Sequence, residues 1–222
     1  MGLIGLVYSG DYLIFILIVI ALVFALCIHE FSHGYIAYIN GDDTAYKMGR
    51  LTLNPLNHLD PIGSMMILFI GFGYAKPVPV NPRNLNNPRI DMIKVAAAGP
   101  ISNFILSFLG VLFFTILSKF GLLENSYKIF FTYFIMINTY LGLFNLIPIY
   151  PLDGGQIFGN FIAKYDRNIF TKLNKYGPKI LLGVIIFSIF TNIPILSWVL
   201  NGPAELMISS FSFIVDKLLF FL

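Results

Sequence analysis

The stretch "DYLIFILIVIALVFALCIHEFSHGY", residues 11–35, decides how the chain is read. After Asp11 no charged side chain occurs before Glu30, and a membrane-crossing helix needs only ~20 apolar residues. Tyr12 to about Tyr38 therefore forms a first long helix, and "NGDD" at 40–43 stops it. Yet His29, Glu30 and His33 stand within five positions near its end. An ionisable side chain at the centre of a membrane helix costs ~2.5–3.5 kcal/mol on insertion scales, so three together mark a functional site.

Composition agrees with a membrane protein. Of 222 residues 57% are hydrophobic and 11% charged, against about 45–50% and about 25% in a soluble domain. The net charge of +3 is accounted for by membrane loops, and no basic patch interleaved with aromatics points to nucleic acid. Cys27 is the one cysteine, which excludes an intramolecular disulfide and a thiolate metal cluster. It reads as a packed core thiol. No Lys or Arg precedes Lys47, whereas a cleaved signal peptide begins basic, so the first helix is expected to stay.

After the polar stretch "TAYKMGRLTLNPLNHLDP", the segment "IGSMMILFIGFGYA" at 62–75 is apolar but too short for an upright span. It is expected to be re-entrant, which requires protein or water around its backbone. "KPVPVNPRNLNNPR" at 76–89 is an extended strip, because Pro77, Pro79 and Pro82 remove donors and fix φ. Further helices are predicted over Met92–Ser118, Lys128–Ile147 and Ile180–Leu200. The last piece, 204–222, carries Asp216 and Lys217 and is either a fifth span or an interfacial helix. The expected fold is an all-α polytopic membrane protein with about four to six transmembrane helices and a re-entrant or extended segment between the first two long ones. One domain, 1–222, has its catalytic core at about 12–156 and C-terminal helices at about 180–222.

The basic residues set the orientation. Lys47 and Arg50 follow the first helix, Lys76, Arg83, Arg89 and Lys94 lie in or beside the strip, and Lys164, Arg167, Lys172, Lys175 and Lys179 follow Asp153. If 62–75 is re-entrant, all of these fall on one side, expected to be the cytoplasm. The loop Lys119–Lys128 is a mild exception, partly offset by Glu124.

His29 and His33 are four apart, on one helix face, so two imidazoles can meet one ion. Glu30 lies about 100° round the helix, beside that ion. This is H-E-x-x-H, in which two neutral imidazoles bind zinc and the carboxylate handles the protons of an activated water. The plain alternative is two packed histidines and a snorkelling glutamate. A catalytic zinc usually takes three protein ligands. The positions where a metzincin carries glycine and a third histidine hold Ile36 and Ile39, which excludes that pattern. His58 is one candidate, in a loop rich in turn formers. Asp153 in "NLIPIYPLDGG" is the better one: Pro148, Pro151, Gly154 and Gly155 unwind backbone around a lone carboxylate at the end of an apolar helix. A solvated aspartate at a turn is the alternative there.

"HEFSH", "AGPISN" and "NLIPIYPLDGG", in that order and in three predicted membrane helices, resemble the site-2 protease family of intramembrane zinc metalloproteases. "MGRLTLNPLNHLDPIG" and "AKPVPVNPRNLNNPR" resemble its short branch, which has no PDZ domain; the likeness runs from about Cys27 to Gln156. It implies one Zn2+ per chain held by His29, His33 and Asp153, with Glu30 as catalytic base. It also points to Asn145 as a group that contacts the substrate backbone or helps hold the oxyanion. The alternative for Asn145 is a hydrogen bond to carbonyls freed by Pro148. Asn103 is expected to serve helix–helix hydrogen bonding rather than chemistry.

The expected activity is hydrolysis of peptide bonds within or near transmembrane segments, with transmembrane proteins or peptides as substrates, lipid as surroundings, the cell membrane as location and the site toward the cytoplasm. The strip would pair with an unwound substrate as an added strand, unless it is a simple surface loop. A zincin acting on prenylated peptides would need a carboxylate motif other than "PLDGG". The non-enzymatic alternative is a metal transporter or a structural metal site, but no repeated halves are visible in the sequence.

Overall fold

The fold was taken from a computed structural model, which describes residues 2–162 and 165–220. Lys164, counted above among the basic residues, lies outside them. The helices are α1 (Ile4–Tyr8), α2 (Tyr12–Ile39), α3 (Thr44–Lys47), α4 (Pro61–Ile70), α5 (Pro88–Lys119), α6 (Asn125–Asn145), α7 (Asp153–Ile162), α8 (Arg167–Thr191) and α9 (Ile195–Leu218). Among the described residues there is no strand, only an isolated antiparallel bridge between Leu59 and Ala75.

Four helices, Tyr12–Ile39, Pro88–Lys119, Asn168–Thr191 and Ile195–Leu218, are long and apolar enough to cross a membrane. The fifth long helix, α6, packs against both α2 and α5. Two polar groups of α6 face inward: Thr139 Oγ1 lies 2.7 Å from Ser107 Oγ, and Asn138 Oδ1 accepts from Asn103 Nδ2 at 3.0 Å. All four residues are fully buried. The outer faces are apolar, as at Ile16, Ile20 and Phe24 on α2 and Ile101, Ile105, Leu109 and Phe113 on α5, all exposed. Hydrogen-bonding side chains inside and apolar ones outside are the arrangement that lipid favours.

The 62–75 segment turns back as expected. Asp60 caps α4 by accepting from the Gly63 N–H at 2.9 Å, and Gly71, at φ 83°, ends the helix in the left-handed region. The chain then returns extended, so that Leu59 bridges Ala75 and the Lys76 N–H donates to the His58 carbonyl at 2.8 Å. Both ends of this hairpin thus lie together, and its far part rests on α6 through Phe72 and Phe144, ring centroids 5.7 Å apart.

The C-terminal third departs from expectation. The helix predicted over 180–200 is broken at 192–194, where Asn192 adopts φ 55° and Pro194 cannot donate. One helix ends before the break and another starts after it. α8 begins earlier than expected, at Arg167, because Asp166 accepts from the N–H groups of Asn168 (2.8 Å) and Ile169 (3.1 Å). The interval 200–211, which carries no Lys or Arg, is the interior of α9. Lys119 Nζ donates to the Leu219 carbonyl, so α9 and α5 end side by side. Val111, Ile135, Val215 and Leu219 form the apolar core between α5, α6 and α9.

Candidate metal centre

α2 presents His29 and His33 to α5, and α5 holds both rings from behind. His29 Nδ1 donates to Asn103 Oδ1 at 2.6 Å, and His33 Nδ1 donates to the Val95 carbonyl at 2.7 Å. The partners assign the tautomers. A carbonyl only accepts, and Asn103 Nδ2 is engaged by Asn138 Oδ1 and by the Ala25 carbonyl at 3.4 Å, which leaves Oδ1 toward His29. Each Nε2 is then left with a lone pair, and the two lie 3.1 Å apart.

Asp153 brings the third donor. Its Oδ2 is 3.2 Å from His29 Nε2 and 3.4 Å from His33 Nε2. The aspartate opens α7 after a tight turn in which the Ile149 N–H donates to the Ile147 carbonyl and the Leu152 N–H to the Ile149 carbonyl. Gly154 and Gly155 are required by contact: a Cβ on the first would lie 2.2 Å from the Leu146 oxygen, and on the second 2.5 Å from the Tyr150 nitrogen.

The donor set fits a zinc ion. The three ligand atoms lie within 4.8 Å of one another on buried residues, and Asp153 Oδ2 accepts no hydrogen bond although two ring nitrogens lie within 3.4 Å. Buried lone pairs that converge with no proton between them repel unless a cation joins them. Zinc bonds of ~2.0–2.1 Å at tetrahedral angles put neighbouring donors about 3.3 Å apart, close to the separations here. Gly99 of α5 keeps this space open. A Cβ there would come within 2.5 Å of His33 Nε2 and 2.6 Å of His29 Nε2.

Glu30 is buried in the same cavity, about 170 Å³ in volume, which Asn145, Gln156 and the strip residues Pro77, Val78 and Val80 also line. Glu30 Oε2 accepts from the Val78 N–H at 2.9 Å. Asn145 Nδ2 donates back to the Leu141 carbonyl at 3.0 Å, which uses one of its two N–H bonds. His58 stands apart: it is fully buried beneath the hairpin, with Nε2 donating to the Thr52 carbonyl at 2.7 Å. The structure thus brings His29, Glu30, His33, Asn145 and Asp153 together and leaves His58 out. Sequence reasoning missed the contributions of Gly99, Gln156 and the Val78 amide, and it gave Asn103 only half of its contacts. A buried asparagine in an apolar helix was the one available signal for the last.

The family model described as peptidase family M50 matches residues 17–129 and 121–189. The chain is 39% identical over 211 residues to YwhC of Bacillus subtilis, a protein provisionally named a zinc metalloprotease, covering 91% of this chain and 94% of that one. It is 24% identical over 162 residues to zinc metalloprotease MJ0392 of Methanocaldococcus jannaschii, covering 73% of this chain and 39% of that one. No solved structure matches.

Proposed function

Because the chain belongs to peptidase family M50 and is a membrane-embedded zinc metalloprotease, we propose that it cuts peptide bonds within or beside the transmembrane segments of other membrane proteins. The observation that carries this reading is the placement of the His29, His33 and Asp153 ligand atoms and the Glu30 carboxylate in one buried cavity of a bundle with apolar outer faces. His29, His33 and Asp153 would hold the ion. Zinc, when bound, supplies Lewis acidity that acidifies water and polarises a peptide carbonyl.

The remaining work belongs to the chain. Glu30 takes the proton from the attacking water and passes it to the leaving amine. Burial of its carboxylate excludes competing solvent, and the Val78 amide keeps it turned toward the cavity. Asn145, with one N–H not used on Leu141, contacts the substrate backbone or the developing oxyanion. The strip that lines the cavity carries Lys76, Arg83 and Arg89, and we assign that side to the cytoplasm and the protein to the cell membrane.

The strip 76–89 would receive the substrate. A helical substrate must unwind before a peptide bond is accessible, and its freed N–H and C=O groups need partners. In an extended chain, alternate residues address opposite edges. "KPVPV" puts Pro77 and Pro79 on one edge and Val78 and Val80 on the other, and the Val78 N–H points at Glu30. An unwound substrate laid along this segment would have backbone partners beside the base.

The test is a comparison of membrane peptides that accumulate in cells carrying Glu30→Gln with those in cells carrying the unmodified chain. Transmembrane fragments enriched in the variant identify the substrates. Identical peptide profiles, with both proteins in the membrane and zinc-loaded, would remove the intramembrane reading.

A further inference from the structure

We infer that Asp42, outside the cavity, is a positioning residue for Glu30, acting through the strip. The inference rests on the reading of Glu30 as the base. Asp42 lies just past the end of α2 and is 0% exposed. A carboxylate so buried needs compensating donors, and Asp42 draws them from two segments. Its Oδ1 accepts from the Thr44 N–H at 3.1 Å, from the Thr44 hydroxyl, and from Asn84 Nδ2 at 3.0 Å. Its Oδ2 accepts from the Asn81 N–H at 2.6 Å. One oxygen therefore gathers the turn after α2 and Asn84, and the other grips the strip.

Asn81 is three residues beyond Val78, whose N–H holds Glu30. At ~3.3 Å per residue, Asp42 anchors the strip about 10 Å from that amide. The opposite end is fixed independently: Arg50 donates to the carbonyls of Lys76 (2.9 Å) and Pro77 (3.2 Å), and the Lys76 N–H donates to His58. The strip is thus a short bridge tied at 76–77 and at 81, with the Val78 amide on Glu30 between the ties. Pro79, which has no N–H, stiffens the interval without adding a competing donor. Asp42 follows directly on the helix that bears the base, so the turn leaving α2 holds the anchor for the group that orients Glu30. A second contact supports the docking: the Asn86 N–H donates to the Asn40 carbonyl at 2.9 Å, beside Gly41, where φ is 104° and a Cβ would lie 3.0 Å from the Asn84 oxygen.

The consequence is catalytic rather than merely architectural. One Glu30 oxygen is occupied by the Val78 amide, which leaves the other to take the proton, and a displacement of ~1 Å at such a group is worth about 100-fold in rate. Losing the Asp42 anchor should move the base while leaving the imidazoles, held by α5, in place.

The experiment uses the full chain in phosphatidylcholine vesicles. Amide hydrogen exchange over 76–84 reports the bridge, zinc content reports the metal centre, and cleavage of a quenched single-span peptide reports kcat and KM. In Asp42→Ala the Val78 and Asn81 amides should lose protection, zinc should stay at one per chain, and kcat should fall about 10- to 100-fold. Asp42→Asn, which keeps an acceptor oxygen, should fall between. Val78→Pro preserves an extended strip but deletes the donor, and should lower kcat with KM little changed. If Asp42→Ala does not fold, Asp42→Asn and Val78→Pro decide the matter. A protected Val78 amide in a folded, zinc-loaded Asp42 variant would overturn the proposal. So would an unchanged kcat in Val78→Pro. Exchange is read without any substrate, so failure of the anchor is distinguishable from failure of the base assignment, which would show as normal cleavage by Glu30→Gln.

Discussion

His29 Nδ1 donates a 2.6 Å hydrogen bond to Asn103 Oδ1, and that bond fixes which nitrogen of the ring can ligate. Asn103 is itself held by Asn138, whose Nδ2 donates to the Phe134 carbonyl at 2.9 Å, so a chain of carboxamides runs from α6 through α5 to His29. Outer partners of metal-bound imidazoles are typically worth ~10–100-fold in metal affinity. Asn103→Ala should weaken zinc binding by about that factor, measured by competition with a chromophoric chelator. An unchanged affinity would show that the ring is oriented by packing alone.

Glu30→Gln should keep one zinc per chain and lose cleavage by about 100- to 10,000-fold, the usual range for a general base. Metal analysis of the purified variant alongside a cleavage assay checks both halves. Cleavage at the unmodified rate removes Glu30 from the mechanism.

Gly99→Ala separates folding from metal binding. Alanine is the better helix former by about 1 kcal/mol, so α5 itself should not suffer. The new methyl, however, enters the space where the two Nε2 atoms converge. The expected result is a folded protein with markedly reduced zinc content. Full zinc occupancy with normal activity would mean that α2 can retreat from α5 at little cost.

Asp153→Asn should weaken zinc by removing a charged ligand, whereas His58→Gln should leave metal content unchanged, because His58 lies outside the centre. Isothermal titration of zinc into the two metal-free variants distinguishes them. Equal losses would place His58 in the ligand set after all.

Asp42 gives the pH dependence. Burial raises its pKa, but the hydrogen bonds from Thr44, Asn81 and Asn84 outweigh burial, and the net shift is downward. The neighbouring charges, Asp43 and Lys47, pair with each other at 2.7 Å on the surface. A carboxylate with a depressed folded-state pKa contributes stability that is fully present above the unfolded value of ~3.9 and is lost as pH falls through the folded one. Docking of the strip should therefore hold through neutral pH and loosen only below about pH 4. Exchange protection at Asn81 measured between pH 3 and pH 7 tests this, and protection lost already near pH 6 would contradict it.

What was legible in the sequence was what short-range chemistry controls. His29 and His33 share a face because a helix has 3.6 residues per turn. The prolines of 76–89 forbid a helix wherever the segment lies, and glycines after Asp153 announce close backbone contact. The return of 62–75 was readable from its length and from the placement of basic residues. The break at 192–194 was obscured because Ile180–Leu200 is continuously apolar and one proline near its end did not stand out. The start of α8 was hidden by lysines that read as a loop. The Glu30–Val78 and His29–Asn103 bonds join positions 48 and 74 residues apart, and no local pattern encodes such partners.

With Asp153 delivered by α7 and both imidazoles on α2, a zinc ion held by the three would be a rivet between distant halves of the polypeptide. Stripping it with a chelator would leave three buried lone pairs facing one another, so the first element to spring loose should be the turn at 146–152 rather than the imidazole-bearing helix. Metal loading would then double as the final assembly step of the site.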